Sequence, residues 1–271
     1  MSRIAKRFSE LAKANKAAFV PFITAGDPDA DITAALLAEL PAAGADLIEL
    51  GVPFSDPMAD GPAIQASSQR ALKGGMTLPK VLELVRRFRK ADKKTPLALM
   101  GYFNPIHAFG TAKFVKTAAE AGVDGLIVVD LPPEEDEVLR LPAAAHGIDI
   151  VRLATPTTTD KRLPTVLKGA GGFLYYVSIT GVTGTKSFAE GEVRAAVKRL
   201  KAKSGLPVAV GFGIRTPENA AFIAKVADGA VIGSAIVKRL DEGAEKPADK
   251  RVADTLAYCA SLADAVHSAR A

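Results

Sequence analysis

Three carboxylates, Glu49, Asp56 and Asp60, lie within the stretch 45–61, ADLIELGVPFSDPMADG. Glu49 belongs to an apolar run that reads as a buried strand. Desolvation there penalises its charged form and lifts its pKa toward neutrality, which suits a general acid/base. The competing reading is a carboxylate tied to backbone amides or to an arginine. Asp56 stands before Pro57, a place for a turn residue. Asp60 precedes Gly61-Pro62, so it is either the second half of an acid/base pair or the cap of a helix starting there.

A second chemical signal lies late in the chain. Gly181-Val182-Thr183-Gly184, Gly211-Phe212-Gly213 and Gly233-Ser234 each follow an apolar run. Glycine lets backbone N–H groups approach an anion, and a helix starting at Ser234 would add its dipole. Tight turns would explain any one of them; three at consecutive strand ends predict a phosphate site. Absences narrow the chemistry further. No predicted strand carries a lysine, which argues against a Schiff-base aldolase. His107, His146 and His267 are too scattered to predict a His-rich catalytic metal site. Carboxylates remain the expected acid/base groups.

These residues need a scaffold. Strand-like apolar runs occur at residues 17–25, 46–52, 96–102, 125–130, 149–154, 172–178, 207–211 and 229–232. Helical patterns cover 29–40, 78–90, 112–121, 134–145, 160–167, 190–203 and 217–226. The runs are continuous rather than alternating, as in parallel strands covered by helices. The pattern predicts a single α/β domain over residues 1–271, a (β/α)8 TIM barrel. An amphipathic helix at 2–16 caps one end, and an added helix near 249–265 follows the polar connection 242–250. A doubly wound sheet is disfavoured, because Ala25-Gly26-Asp27-Pro28 replaces the glycine-rich turn that such sheets place after the first strand. Barrel sites occupy the C-terminal strand ends. Alternation groups Leu47, Glu49 and Gly51 on one face; if that face points inward, Glu49 lies near the mouth. Arg152 interrupts the fifth run and faces the helix layer, where it snorkels or pairs with a carboxylate.

Composition bounds the partners. With 271 residues, 48% of them hydrophobic, the chain can bury a large core. The basic cluster Arg86, Arg87, Arg89, Lys90, Lys93 and Lys94 reads as a solvated helix face, and no aromatic residues interleave with it as nucleic-acid binding would need. The net charge of +5 favours an anionic small substrate. Cys259 is the only cysteine and sits on a packed helix face between Leu256 and Leu262, so no intrachain disulfide can form. Neither a signal core nor a membrane-length apolar run is present, predicting a soluble, cytoplasmic protein without membrane or nucleic-acid partners.

Several motifs resemble one family, the tryptophan synthase α-chain. They are VPFITAGDPD at 20–29, IELGVPFSDPMADGPAIQ at 48–65, GYFNP at 101–105, VVDLP at 128–132, TGVTG at 180–184, GFGI at 211–214 and GSAIV at 233–237. The resemblance implies retro-aldol cleavage of indole-3-glycerol phosphate to indole and glyceraldehyde 3-phosphate. By resemblance, Glu49 protonates indole C3 and later takes the glycerol hydroxyl proton, Asp60 stabilises charge at the indole nitrogen, and Tyr175 lies near the catalytic site. Phe22, Met100, Tyr102, Leu126, Val129, Leu153 and Thr183 would wall the indole pocket. Gly184, Gly213, Gly233 and Ser234 would hold the phosphate. No metal or cofactor is implied on this chain; pyridoxal phosphate belongs to the β-chain partner of an α2β2 heterotetramer. Segments 53–60 and 180–191 would close over the site and meet that partner. A stand-alone lyase releasing free indole and an idle barrel that activates a partner are the alternatives.

Overall fold

The structure, a computed structural model, describes residues 1–178, 190–211 and 213–270. A parallel sheet of nine strands, in the order β5-β4-β3-β2-β1-β9-β8-β7-β6, forms the inner layer. The strands are β1 (Ala18–Thr24), β2 (Ile48–Gly51), β3 (Leu97–Gly101), β4 (Gly125–Val128), β5 (Asp149–Ile150), β6 (Arg152–Ala154), β7 (Leu174–Val177), β8 (Val208–Gly211) and β9 (Gly229–Ile232). The sequence pattern predicts eight, and the difference lies in the fifth run. Its first half pairs with β4, through Gly125↔Asp149, and its second half with β7, through Arg152↔Leu174. The run switches neighbours at Val151, whose N–H still bonds the Leu126 carbonyl at 3.0 Å. Because β5 and β6 are consecutive in the chain, the two ends of the sheet are joined covalently and the TIM barrel closes there.

Helices form the outer layer. They are α1 (Arg3–Lys13), α2 (Ala30–Glu39), α3 (Pro62–Lys73), α4 (Leu78–Ala91), α5 (Phe103–Phe109), α6 (Thr111–Ala121), α7 (Glu137–Ala145), α8 (Leu163–Val166), α9 (Glu190–Ser204), α10 (Pro217–Val226), α11 (Ser234–Glu242) and α12 (Ala248–Ser268). Their starts follow local chemistry. Ser2 caps α1 by accepting the Ala5 N–H at 3.2 Å, and Asp29 caps α2 through the Ile32 N–H at 2.8 Å. The short α5 has no counterpart in the sequence pattern, since Pro105 breaks the apolar period around it. No described helix is long and apolar enough to cross a membrane.

Strand alternation divides the core in two. Ile23, Leu50, Leu99, Leu126, Tyr176 and Val210 face the helices. Val20, Leu47, Ala98, Ile127, Val151, Phe173, Tyr175 and Val231 fill the barrel interior. Ile4, Phe8 and Leu11 of α1 join the interior cluster from below, with the Phe8 and Phe173 rings 5.4 Å apart. The first helix thus plugs the floor of the barrel. Arg152 faces outward and is buried, pairing with Asp136 and donating to the Lys168 carbonyl at 3.0 Å, so the carboxylate-paired reading holds.

Candidate active site

Above the packed interior lies a cavity of about 480 Å³ at the C-terminal ends of the strands. Phe22 from β1, Glu49 from β2, Met100 from β3 and Tyr175 from β7 line it, all from inward-facing positions. Neighbouring strands hold these side chains in register: Phe22 pairs with Glu49, and Glu49 with Ala98. Asp60 and Ile64 close one side from the β2–α3 connection and the first turn of α3.

Glu49 is buried and, among the described residues, its Oε2 has no hydrogen-bond partner, so neither their backbone amides nor an arginine satisfies that oxygen. Burial, and then the nearby charge of Asp60, push its pKa up to about 8. Asp60 is also raised by burial, but a hydrogen bond from the Tyr102 hydroxyl holds it to about 6. The two carboxyls therefore hold different charges near neutral pH, Glu49 protonated and Asp60 ionised. Such a separation allows one to act as an acid while the other stabilises positive charge. Asp60 does not cap α3: Gly61 is the cap residue and makes no side-chain capping bond. Asp56 sits on the exposed loop and accepts from the Ser55 hydroxyl at 2.5 Å.

Tyr175 is buried, and its hydroxyl is pushed well above the usual phenol range by burial and by the charges of Glu49 and Asp60. It therefore keeps its proton and cannot serve as a phenolate base. Its ring occupies the space over Gly211, where an added Cβ would stand 2.3 Å from the Tyr175 oxygen. Gly211 serves this close approach. Gly213, with φ at +81°, lines the cavity together with Gly233 and Ser234 at the start of α11. That end of the cavity presents a glycine turn and a helix N-terminus, the arrangement that binds phosphate.

Other expected wall residues are placed differently. Tyr102 and Val129 line a small hollow that shares Phe22, Asp60, Ile64 and Met100 with the main cavity. The Tyr102 hydroxyl there accepts the Ala59 N–H at 2.9 Å. Leu153 packs against the barrel interior and lines a separate cleft beside Arg152. Leu126 is a correction: it points into the helix layer, and its neighbour Ile127 faces the interior. A shift of one residue along a strand exchanges its faces. Thr183 and Gly184 lie outside the described residues, as do Phe212 and most of the segment 180–191. The sequence reading also passed over Ile64, Ile214, Arg215, Lys238, Arg239 and Tyr258, all of which line the cavity. A signal was available for Lys238 and Arg239, which sit one turn into the helix that starts at Ser234. Among the described residues, no group of three or more His, Cys, Asp or Glu is placed to hold a metal.

Comparison with known proteins returns one family. Residues 8–267 match the family model described as tryptophan synthase alpha chain. Tryptophan synthase subunit alpha from Legionella pneumophila str. Paris is similar at 41% identity and a TM-score of 0.90, over 98% of both chains. A Mycobacterium tuberculosis tryptophan synthase structure contains a chain 35% identical, with a TM-score of 0.89 and 98% coverage of each. A chain from Aquifex aeolicus VF5 is 36% identical, with a TM-score of 0.88, over 99% of this chain and 100% of that one.

Proposed function

The chain belongs to the tryptophan synthase alpha chain family, and from that membership we propose that Glu49, Asp60 and Tyr175 carry its reaction. That reaction is the cleavage of indole-3-glycerol phosphate to indole and glyceraldehyde 3-phosphate, a carbon–carbon lyase step in L-tryptophan biosynthesis. Indole cannot leave as a bare carbanion. The neutral Glu49 carboxyl gives its proton to indole C3, forming an indolenine with positive charge at nitrogen. The ionised Asp60 carboxylate faces that charge. Glu49, now a carboxylate, removes the proton from the glycerol hydroxyl. The carbonyl of the aldehyde forms as the bond to C3 breaks, and the electron pair returns to the indole ring. Tyr175, always protonated, positions the substrate between them. Phe22 and Met100, with Tyr102 and Val129 beyond, form the apolar end of the site, while Gly213, Gly233 and Ser234, together with Gly184, hold the phosphate.

The observation that carries this assignment is Glu49 Oε2, buried without a partner at the base of the cavity. An unsatisfied buried acid is costly unless function keeps it. The whole of 1–271 acts as one cytoplasmic domain, needs no cofactor of its own, and docks on a pyridoxal phosphate-bearing β-chain in an α2β2 assembly. The loop 53–60, with Met58 exposed at its tip, supports that docking face. The presence of both carboxyls in the cavity speaks against an idle barrel.

The test measures indole release from indole-3-glycerol phosphate by the isolated chain and after mixing with a tryptophan synthase β-chain. Release that rises on mixing, with co-elution of the two chains in gel filtration, is the expected result. No release in either state would reject the catalytic assignment. Release without co-elution would reject the docking and leave a stand-alone lyase.

A further inference from the structure

The phosphate end of the cavity as assigned so far offers backbone amides and a helix dipole but no formal positive charge. Three cations line the same cavity close to it: Arg215, two residues after Gly213, and Lys238 and Arg239 on α11. All three are exposed at the rim. Lys238 shares its charge with Glu242, whose carboxylate lies 3.8 Å away and also lines the cavity. Among the described residues, neither Arg215 nor Arg239 forms an ion pair. The backbone at Arg215 is held from the far side, because the Tyr258 hydroxyl of α12 donates to the Arg215 carbonyl at 2.6 Å. Tyr258 lines the cavity as well, so the C-terminal helix reaches back to brace this edge.

We infer that Arg215 and Arg239, with Lys238, form a cationic collar that captures the dianionic phosphate of the substrate before the backbone cradle receives it. The inference rests on the proposed phosphate site and adds side chains to it. Exposed charges of this kind grip weakly in water. Their field still reaches roughly 8–10 Å at physiological salt. A collar at the rim therefore acts mainly on substrate capture, raising the local concentration of a dianion, and leaves the chemical step alone. Glu242 works in the opposite sense, and Lys238 offsets it.

The test compares wild type with the double variant Arg215→Gln/Arg239→Gln, using Arg87→Gln on α4 as a control outside the cavity. In the cleavage direction KM at low salt should rise about three- to tenfold in the double variant, with kcat within about twofold. The difference should close near 1 M salt. Calorimetric binding of glycerol 3-phosphate should weaken in parallel and does not depend on cleavage. In the reverse condensation, KM for neutral indole should stay unchanged. Unaltered KM and binding at low salt would overturn the collar, as would a loss that persists at 1 M salt or that Arg87→Gln reproduces. Failure of the proposed function has a different signature: wild type would cleave nothing, while the calorimetric comparison would still decide the collar.

Discussion

Asp46 and Glu49 stand three residues apart in one strand region, both buried, and have opposite surroundings. Asp46 lies at the barrel floor and is saturated. It accepts the Phe19 N–H at 2.7 Å, two bonds from Arg7 at 2.5 and 3.1 Å, and one from His267 Nε2 at 2.7 Å. Glu49 lies at the mouth with an unpartnered oxygen and a carboxyl pushed up to about 8. The floor repeats its device. Asp124 takes the Leu97 N–H at 2.9 Å along with Arg3 and Arg89, and Asp228 takes the Val208 N–H at 2.9 Å along with Lys201. Floor carboxylates tie neighbouring strands together; the mouth carboxylate is kept free. Burial by itself does not distinguish a structural acid from a catalytic one. The number of partners does.

The comparison can be broken most sharply at Glu49. Replacing it by Gln should lower the steady-state rate of indole release by about 10³-fold or more, while glycerol 3-phosphate still binds. Near-normal turnover would erase the distinction between the two carboxylates. The mirror experiment is Asp46→Ala, which strands the Phe19 N–H, the Arg7 guanidinium and the His267 ring. We expect a loss of about 3 kcal/mol in urea unfolding, with the rate per folded molecule unchanged. A stable variant with low activity would invert the assignment.

A third test concerns the cost of leaving Glu49 free. Its folded pKa of about 8 exceeds the ordinary 4.5, so the folded state holds the proton longer than the unfolded chain does. Stability is then lost as pH rises between those two values. Glu49→Gln removes this dependence, so its stability relative to wild type should climb by about 3 kcal/mol from pH 5 to pH 8. Parallel stability curves for the two proteins would show that Glu49 is not held neutral.

The smallest effect belongs to Asp60, where Asn should reduce turnover about 10- to 100-fold. The wild-type profile of kcat/KM should be bell-shaped, falling below about 6 as Asp60 takes a proton and above about 8 as Glu49 loses one. The substrate phosphate also titrates near pH 6. If the acid limb survives in Asp60→Asn, it belongs to the phosphate and the role of Asp60 narrows.

Much of the scaffold was legible because parallel barrel strands are buried on both faces and appear as plain apolar runs. Glu49 was legible for the same reason, as the one carboxylate flanked on both sides by the apolar residues of such a run, whereas Asp46, Asp130 and Asp149 stand at run ends. The division of the fifth strand was not, since a change of pairing partner at Val151 alters hydrogen bonds and not composition. Leu126 was misplaced because a short apolar run carries no sign of its phase; only the register against Leu99 shows which residue faces inward. Asp60 kept two readings until the structure placed the cap of α3 at Gly61. Arg215 and Arg239 were invisible for another reason: an exposed cation looks the same beside a substrate site as on any solvated helix.

The clasp at Asp46 has a consequence for synthesis. Its partners come from α1, β1 and, through His267, the last turns of α12, and the Asn15 side chain also reaches the Arg270 carbonyl at 3.2 Å. Residues made first wait beside a carboxylate whose final partner emerges from the ribosome some 220 positions later. The Asp46 clasp therefore closes fully only after the last turns of α12 are made. A chain that stops short of His267 leaves this clasp one partner incomplete, with Arg7 and the Phe19 N–H already in place.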